Sequence, residues 1–420
     1  MFLHSIRASL LALVSAILVA ACGGSSTSNV PTPPVGGINV VPGDSQVTVS
    51  WKETPGVEYW IFAAPNSSNL TLANWLATSG STYRLKVTSP FVVSGLSNGT
   101  PYSFFMTGRI NSGPGGDATP TVTATPRLAG STWTPGVSLN TGTQTGMTYG
   151  SYLDTATNTY KFSYLAVGNG GRMFTSTSIG AWNALTPLVN TDLNAAEFGF
   201  AKFIAAGASG KVIYSSDATT WKQANSITTQ TLNAMAISGS LAVAVGDNGT
   251  IITSKDAITW TAAAGVPSSS HLYGVAYTVA GNWVAVGSSG TILTSPDGST
   301  WTAQTSNSTA TLKAVGALAS VLNGTTTYKF VAVGANGTVL SSPDAITWTA
   351  QNANTTASLN AMSSVNQFLV VGANGTIITS TDGISWTPQA SNTNTELKTL
   401  LRAENQYIAI NTSGGIVFSK

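Results

Sequence analysis

The strongest constraint on this chain is that it repeats itself. Four segments are nearly superimposable: VGDNGTIITSKDAITW (Val245 to Trp260), VGSSGTILTSPDGSTW (Val286 to Trp301), VGANGTVLSSPDAITW (Val333 to Trp348) and VGANGTIITSTDGISW (Val371 to Trp386). Two weaker copies precede them, AGASGKVIYSSDATTW (Ala206 to Trp221) and VGNGGRMFTSTSIGAW (Val167 to Trp182). A unit of roughly forty residues cannot bury an apolar face alone, so successive copies must stack on one another. Inside one copy, four short β-branched runs bounded by Gly, Asn or Asp read as strands: Leu232 to Ser238, Leu241 to Asp247, Gly249 to Ser254 and Thr259 to Ala264.

Four strands at this period predict the blades of a β-propeller. Six complete copies leave a seventh divided between two distant segments. Ser413 to Lys420, SGGIVFSK, reads as a third strand without its Trp strand, and Ser131-Thr132-Trp133 reads as the missing piece. The expectation is a seven-bladed propeller over 128–420, closed by strand exchange between 131–134 and 413–420, which removes the open sheet edges that invite aggregation.

The repeat resembles the Asp-box, or BNR-like, repeat of sialidases, sortilin-like receptors and photosystem II assembly propellers. The usual pattern is Ser-x-Asp-x-Gly-x-x-Trp, whereas here the run is one residue shorter, Ser-x-Asp-Gly/Ala-x-x-Trp. Asp217, Asp256, Asp297, Asp344 and Asp382 fall one per copy, so no two meet as an acid and base pair. Their expected role is structural, accepting backbone N–H bonds within a turn, and Ser178 stands in that place in the first copy. The resemblance implies that a sialidase would need three arginines. Only Arg172 and Arg402 lie between Ser131 and Lys420, so that activity is disfavoured. His271 is the one histidine beyond the leader, which leaves no histidine cage for a metal. The sequence offers no catalytic set, no cofactor motif and no metal site.

What remains is the predicted ring of residues near the propeller axis. Each first strand opens with Leu followed by a variable residue: Asn194, Asn233, Tyr273, Lys313, Asn360 and Lys398. Equivalent positions around a rotation axis converge, so these six are the candidate ligand-binding mouth.

Ahead of the repeats lies a different pattern. Residues 38–127 alternate with period two between turn signals, as an all-β sandwich does. Trp51, the run Leu96-Ser97-Asn98-Gly99-Thr100-Pro101-Tyr102 and the closing Ala124-Thr125-Pro126-Arg127 resemble a fibronectin type III domain. That resemblance implies a core leucine, a tyrosine hydroxyl bonded back to the chain, and a spacer role.

Residues 1–21 have a positive start at Arg7 and an apolar run from Ala8 to Ala21, too short for a comfortable membrane span. They read as a signal peptide. Val19-Ala20-Ala21-Cys22 resembles the lipobox of bacterial lipoproteins and places the only cysteine at the cleavage point, against the alternative of an ordinary secretory peptide with a chance cysteine. Residues 22–37, rich in Gly, Ser and Pro, read as a lipidated tether. The expected location is the cell envelope, on the outer membrane, through a lipid anchor. Just 8% of residues are charged, with 17 basic and 15 acidic and no basic cluster, so nucleic acid is excluded as a partner.

These features favour a non-catalytic binding or scaffold protein for an envelope protein or polysaccharide. One alternative is a glycan-active hydrolase or lyase using carboxylates such as Glu197 with Asp192. Another is an assembly factor for an envelope complex.

Overall fold

The computed structural model describes residues 31–66, 70–139, 142–155, 157–322 and 324–419. The expected signal peptide, Cys22 and the first half of the tether lie outside them. The described chain divides into two units between Leu128 and Ala129.

In the first unit, strands Asn39–Gly43, Gln46–Ser50 and Phe91–Ser94 form one antiparallel sheet. Strands Thr82–Val87, Glu58–Pro65, Tyr102–Arg109 and Val122–Ala124 form a second. Alternate residues of the two sheets, Val47, Val49 and Val93 from one and Tyr59, Ile61, Phe104 and Met106 from the other, share a single core with Trp51 and Leu96. Trp51 packs edge-on against Tyr59 at 5.5 Å between ring centroids. The Tyr102 hydroxyl accepts the Ser97 N–H at 3.1 Å, bending the chain into its strand. Between Asn66 and Thr82, where alternation fails, a short 3-10 turn at Trp75–Ala77 seats the Trp75 indole on Phe62 and Tyr83.

The second unit holds seven four-stranded antiparallel sheets, each meandering from its first strand outward. The third runs Leu232–Ile237, Ala242–Gly246, Ile251–Ser254 and Thr261–Ala262, within three residues of the limits expected from the repeat. The seventh takes Leu397–Ala403, Gln406–Asn411 and Ile416–Ser419 and completes itself with Thr134–Pro135, through Phe418↔Thr134 and Val417↔Pro135. The joining strand is the pair of residues just after Trp133, as Thr261–Ala262 follows Trp260.

First strands of consecutive sheets lie side by side, and that of the seventh lies beside that of the first, Gln144–Asp154. A separate apolar core fills each junction. At the last junction, Met147, Tyr164 and Ala166 of the first sheet meet Ala403, Ile408 and Ile410 of the seventh. The repeat tryptophans wedge into these cores, Trp260 between the second and third sheets and Trp301 between the third and fourth.

The Val-Gly pair of the repeat has a steric cause. A Cβ on Gly246 would sit 2.0 Å from the Thr231 carbonyl oxygen, so the second strand can approach the loop before the first strand only as glycine. Gly249, three residues on, has φ +67°, and its Cβ would meet the Ser268 carbonyl at 2.0 Å.

Candidate functional site

Every sheet of the ring carries the same irregularity at the start of its first strand. Leu232 pairs with Gly246 and Ala234 with Val245, so Asn233 is left over as a β-bulge. The same skip isolates Asn194, Tyr273, Lys313, Asn360 and Lys398, and in the first sheet Thr145. A bulge bends the strand and re-aims one side chain, and here it happens once per sheet around a ring. The six residues expected at the mouth are thereby brought together. With Thr145 and Thr311 they line one open cavity of about 490 Å³. Thr145 escaped sequence reasoning because Gln144 replaces the leucine that marks the position elsewhere; counting back from Val167-Gly168 would have found it.

Four of the seven bulged side chains fasten the ring through backbone carbonyls. Thr145 donates to the Leu193 carbonyl at 2.5 Å, Asn194 to Leu232 at 3.1 Å, Asn233 to Leu272 at 3.0 Å and Asn360 to Leu397 at 2.9 Å, each reaching the first strand of the next sheet. The other three differ. Tyr273 stacks on His271, with centroids 6.3 Å apart and planes 19° apart. Lys313 donates to Asn360 Oδ1 at 2.8 Å and Ser358 Oγ at 3.2 Å, and Lys398 pairs with Glu396 at 2.9 Å.

Charge at the mouth is therefore uneven. Burial, aided by the nearby Lys398, pulls the Lys313 ammonium below its ordinary value, with Glu396 opposing. Burial works against ionising Glu396, yet hydrogen bonds from Lys398 and Asn360 hold its carboxyl below the usual range. Asp247 follows the same pattern: burial is outweighed by bonds from Asn233 and His271. Tyr273, Lys313 and Lys398 form the part of the rim not committed to neighbouring backbone.

The Asp-box carboxylates lie at the other end of the sheets, in the turns between third and fourth strands. Asp297 Oδ1 accepts the N–H groups of Ser299 at 2.8 Å and Thr300 at 2.7 Å and the Ser295 hydroxyl at 3.1 Å. Asp217, Asp256, Asp344 and Asp382 repeat the pattern with their own turns. The N–H of Thr300, then that of Ser299, holds Asp297 at about 2. In Asp217, burial is overcome by the Thr220 and Thr219 N–H groups, giving about 2 again. These oxygens are spent on their own turns, and no two boxes share a site.

Glu197 and Asp192 are not brought together. Asp192 Oδ1 accepts the Gly170 N–H at 2.7 Å at the exposed rim. Glu197 sits five positions on, roughly 15 Å along an extended chain. It pairs across the strand with Ile204, keeps a small exposed fraction, and is pushed up to about 8 by burial, against a bond from the Phe198 N–H.

With the ring and its bulges in view, the comparisons with known proteins are decisive for architecture. Residues 295–420 match the family described as the DUF6242 beta propeller domain. The second unit is a β-propeller. Its fold is similar to that of "YCF48 bound to D1 peptide", at 16% identity and a TM-score of 0.54, covering 70% of this chain and 99% of that one. YCF48 from Cyanidioschyzon merolae gives 14% identity and a TM-score of 0.51, over 69% of this chain and 98% of its own. The WD40 propeller domain of Doa1 gives 8% identity and 0.51, over 69% and 97%. Among curated proteins none matches the chain.

Proposed function

We propose that the propeller is a non-catalytic platform whose mouth binds a segment of another protein. The observation that carries this reading is the convergence of seven bulged side chains on one open cavity, three of which, Tyr273, Lys313 and Lys398, are free of the bonds to the next sheet's backbone that occupy the rest. An aromatic ring and two cations suit an acidic, extended segment. That one similar propeller is described as bound to a peptide supports a protein ligand over a small molecule.

The same proposal takes the ring as seven blades closed by strand exchange and the first unit as a fibronectin type III spacer. It takes residues 1–21 as a signal peptide, Cys22 as the lipidated residue, and the envelope, on the outer membrane, as the location. Two acyl chains exceed what stable anchoring needs, since each buried methylene contributes roughly 0.8 kcal/mol.

A photo-crosslinking residue at position 273 in cells tests the mouth. The expected result is a discrete protein adduct that disappears in K313E/K398E; an adduct indifferent to both lysines defeats the reading. The anchor is tested separately by mass spectrometry of the mature N-terminus and by release of Cys22→Ser into the soluble fraction.

A further inference from the structure

The end of the ring remote from the mouth carries a second built feature, at the junction of the seventh and first sheets. The leading hairpin of the first sheet stays paired from Val167 opposite Gly146 down to Thr159 opposite Asp154, but the third strand follows it only as far as Tyr164. Its lower part therefore projects. Alternation puts Tyr160, Phe162 and Tyr164 on one face. Tyr164 is fully buried in the junction core, while Phe162 is 52% exposed and Tyr160 72%. Phe162 lies parallel to Tyr149, with centroids 5.8 Å apart and planes 7° apart, so aromatic surface runs from the core into solvent.

Where that surface begins stands Glu404, in the turn between the first two strands of the seventh sheet. One carboxylate oxygen accepts the Tyr149 hydroxyl at 2.7 Å and the other accepts the Tyr164 hydroxyl at 2.8 Å. Burial and the Glu404 carboxylate push both phenols upward, so they remain donors. Among the described residues no ion pair engages Glu404. Two of its roughly four acceptor positions stay open, as two hydroxyls fill the others. Glu404, Gln406, Phe418 and the turn at Ser178 line a cavity of about 540 Å³.

We propose that this seam is a saccharide-binding site, in which the Phe162 and Tyr160 rings stack on sugar C–H faces while Glu404 and Gln406 bond ring hydroxyls. Flat aromatic surface beside an oriented carboxylate and amide matches a ligand that is apolar on its faces and hydroxylated at its edges. No basic side chain lines the cavity, which disfavours phosphate and acidic polymers. A cation fits less well, because two phenols already disperse the charge of Glu404. At this junction the first-sheet turn has Ser178 where the other complete boxes have aspartate, and the hairpin of the same sheet carries Tyr160 and Phe162 past the end of its third strand.

The test is calorimetric binding of the full chain to cellohexaose, laminarihexaose, mannohexaose and chitohexaose, with a Lys-rich peptide as the cationic alternative. Expected is retention of at least one hexasaccharide, weakened about fivefold to tenfold by Y160A/F162A. E404Q should weaken it severalfold, and K313A/K398A should leave it unchanged, which separates this site from the mouth. Tyr149→Phe, which removes one donor and no ring, should lower affinity without loss of fold by circular dichroism. Binding of none of the four sugars, sugar binding insensitive to Y160A/F162A, or preference for the peptide overturns the proposal.

Discussion

The two ends of each propeller sheet obey opposite rules. At the Asp-box end, Ser, Asp and Trp recur almost unchanged, and in the continuous box of Ser295, Asp297 and Trp301 their side-chain bonds close within the same turn. At the mouth end, the bulged position is Thr, Asn, Tyr or Lys, and four of the seven reach a backbone carbonyl of the next sheet. A side chain that serves its own turn has one best identity, repeated as often as the turn is. A side chain that spans a junction meets a different neighbour each time and is free to vary. Variation at the mouth is thus partly a product of ring geometry; among the described residues Tyr273 and Lys398 reach no neighbouring sheet and Lys313 reaches one through side chains alone, which leaves these three for a ligand.

The comparison can be broken hardest at the divided box. Ser419 Oγ accepts the Gly130 N–H at 2.7 Å and the Trp133 indole donates to the Gly130 carbonyl at 2.9 Å, as Ser295, Gly298 and Trp301 do within one continuous run. If the divided box is equivalent to the continuous ones, Trp133→Ala should cost about 3–5 kcal/mol in urea denaturation, as buried aromatic truncations do. Trp182→Ala, at a half-buried position, should cost clearly less. Equal losses would mean that the seam is not fastened as its counterparts are.

Between the two ends, a junction should tolerate no charge, and Glu197 is the case to examine. Its folded value, about 8, lies above the ordinary 4.5, so the native state keeps its proton while the unfolded chain releases it. Its contribution is intact below about 4.5 and is lost as pH rises to about 8, at up to roughly 1.4 kcal/mol per unit. Glu197→Gln should raise the melting temperature at pH 8 and have little effect at pH 4. A constant difference across that range would show that the carboxyl is solvated.

Smaller effects sharpen the contrast within the boxes. A Cβ on Gly298 would meet Leu241 Cδ2 at 2.7 Å, and the residue has φ +73°, so Gly298→Ala should cost about 1–3 kcal/mol. Ala257 occupies the same position with φ 65° and a buried methyl, and Ala257→Gly should be close to neutral because relief of strain offsets lost packing. Smallest are the single bonds. Asp297→Ala should cost about 1–2 kcal/mol by freeing two turn N–H groups, and Asn233→Ala about 1 kcal/mol by freeing the Leu272 carbonyl. Because Asp217 and Asp297 are held at about 2, below the ordinary 3.8, their contribution is present above about pH 4 and fades between 4 and 2. Circular dichroism over that range, with Asp297→Asn as control, measures it.

Much of this architecture is legible in the amino-acid sequence, because one set of constraints is written many times over. The repeat marked the strands of the third sheet closely, and the run after Leu193 or Leu232 pointed to positions that do line one cavity. Bulges were not legible: a skipped pairing leaves no residue signature beyond the variable position itself, and where Gln144 displaced the leucine the position vanished. The Tyr160 and Phe162 surface was equally hidden, since it lies in a hairpin extension outside the repeated segment. The Glu404 contacts join residues more than two hundred positions apart.

The latch between Ser419 and Gly130 spans 289 positions, whereas the ordinary third-to-fourth strand pairing Thr253↔Thr261 spans eight. With about 0.6 kcal/mol for each doubling of loop length, closing this last seam costs about 3 kcal/mol more chain entropy than closing any other. Annealing of the circle is therefore expected to be the slow step of maturation. Until it happens, the outer edge of Ile416–Ser419 stays unpaired, and that interval is when the molecule is most exposed to chaperones, proteases and its own copies.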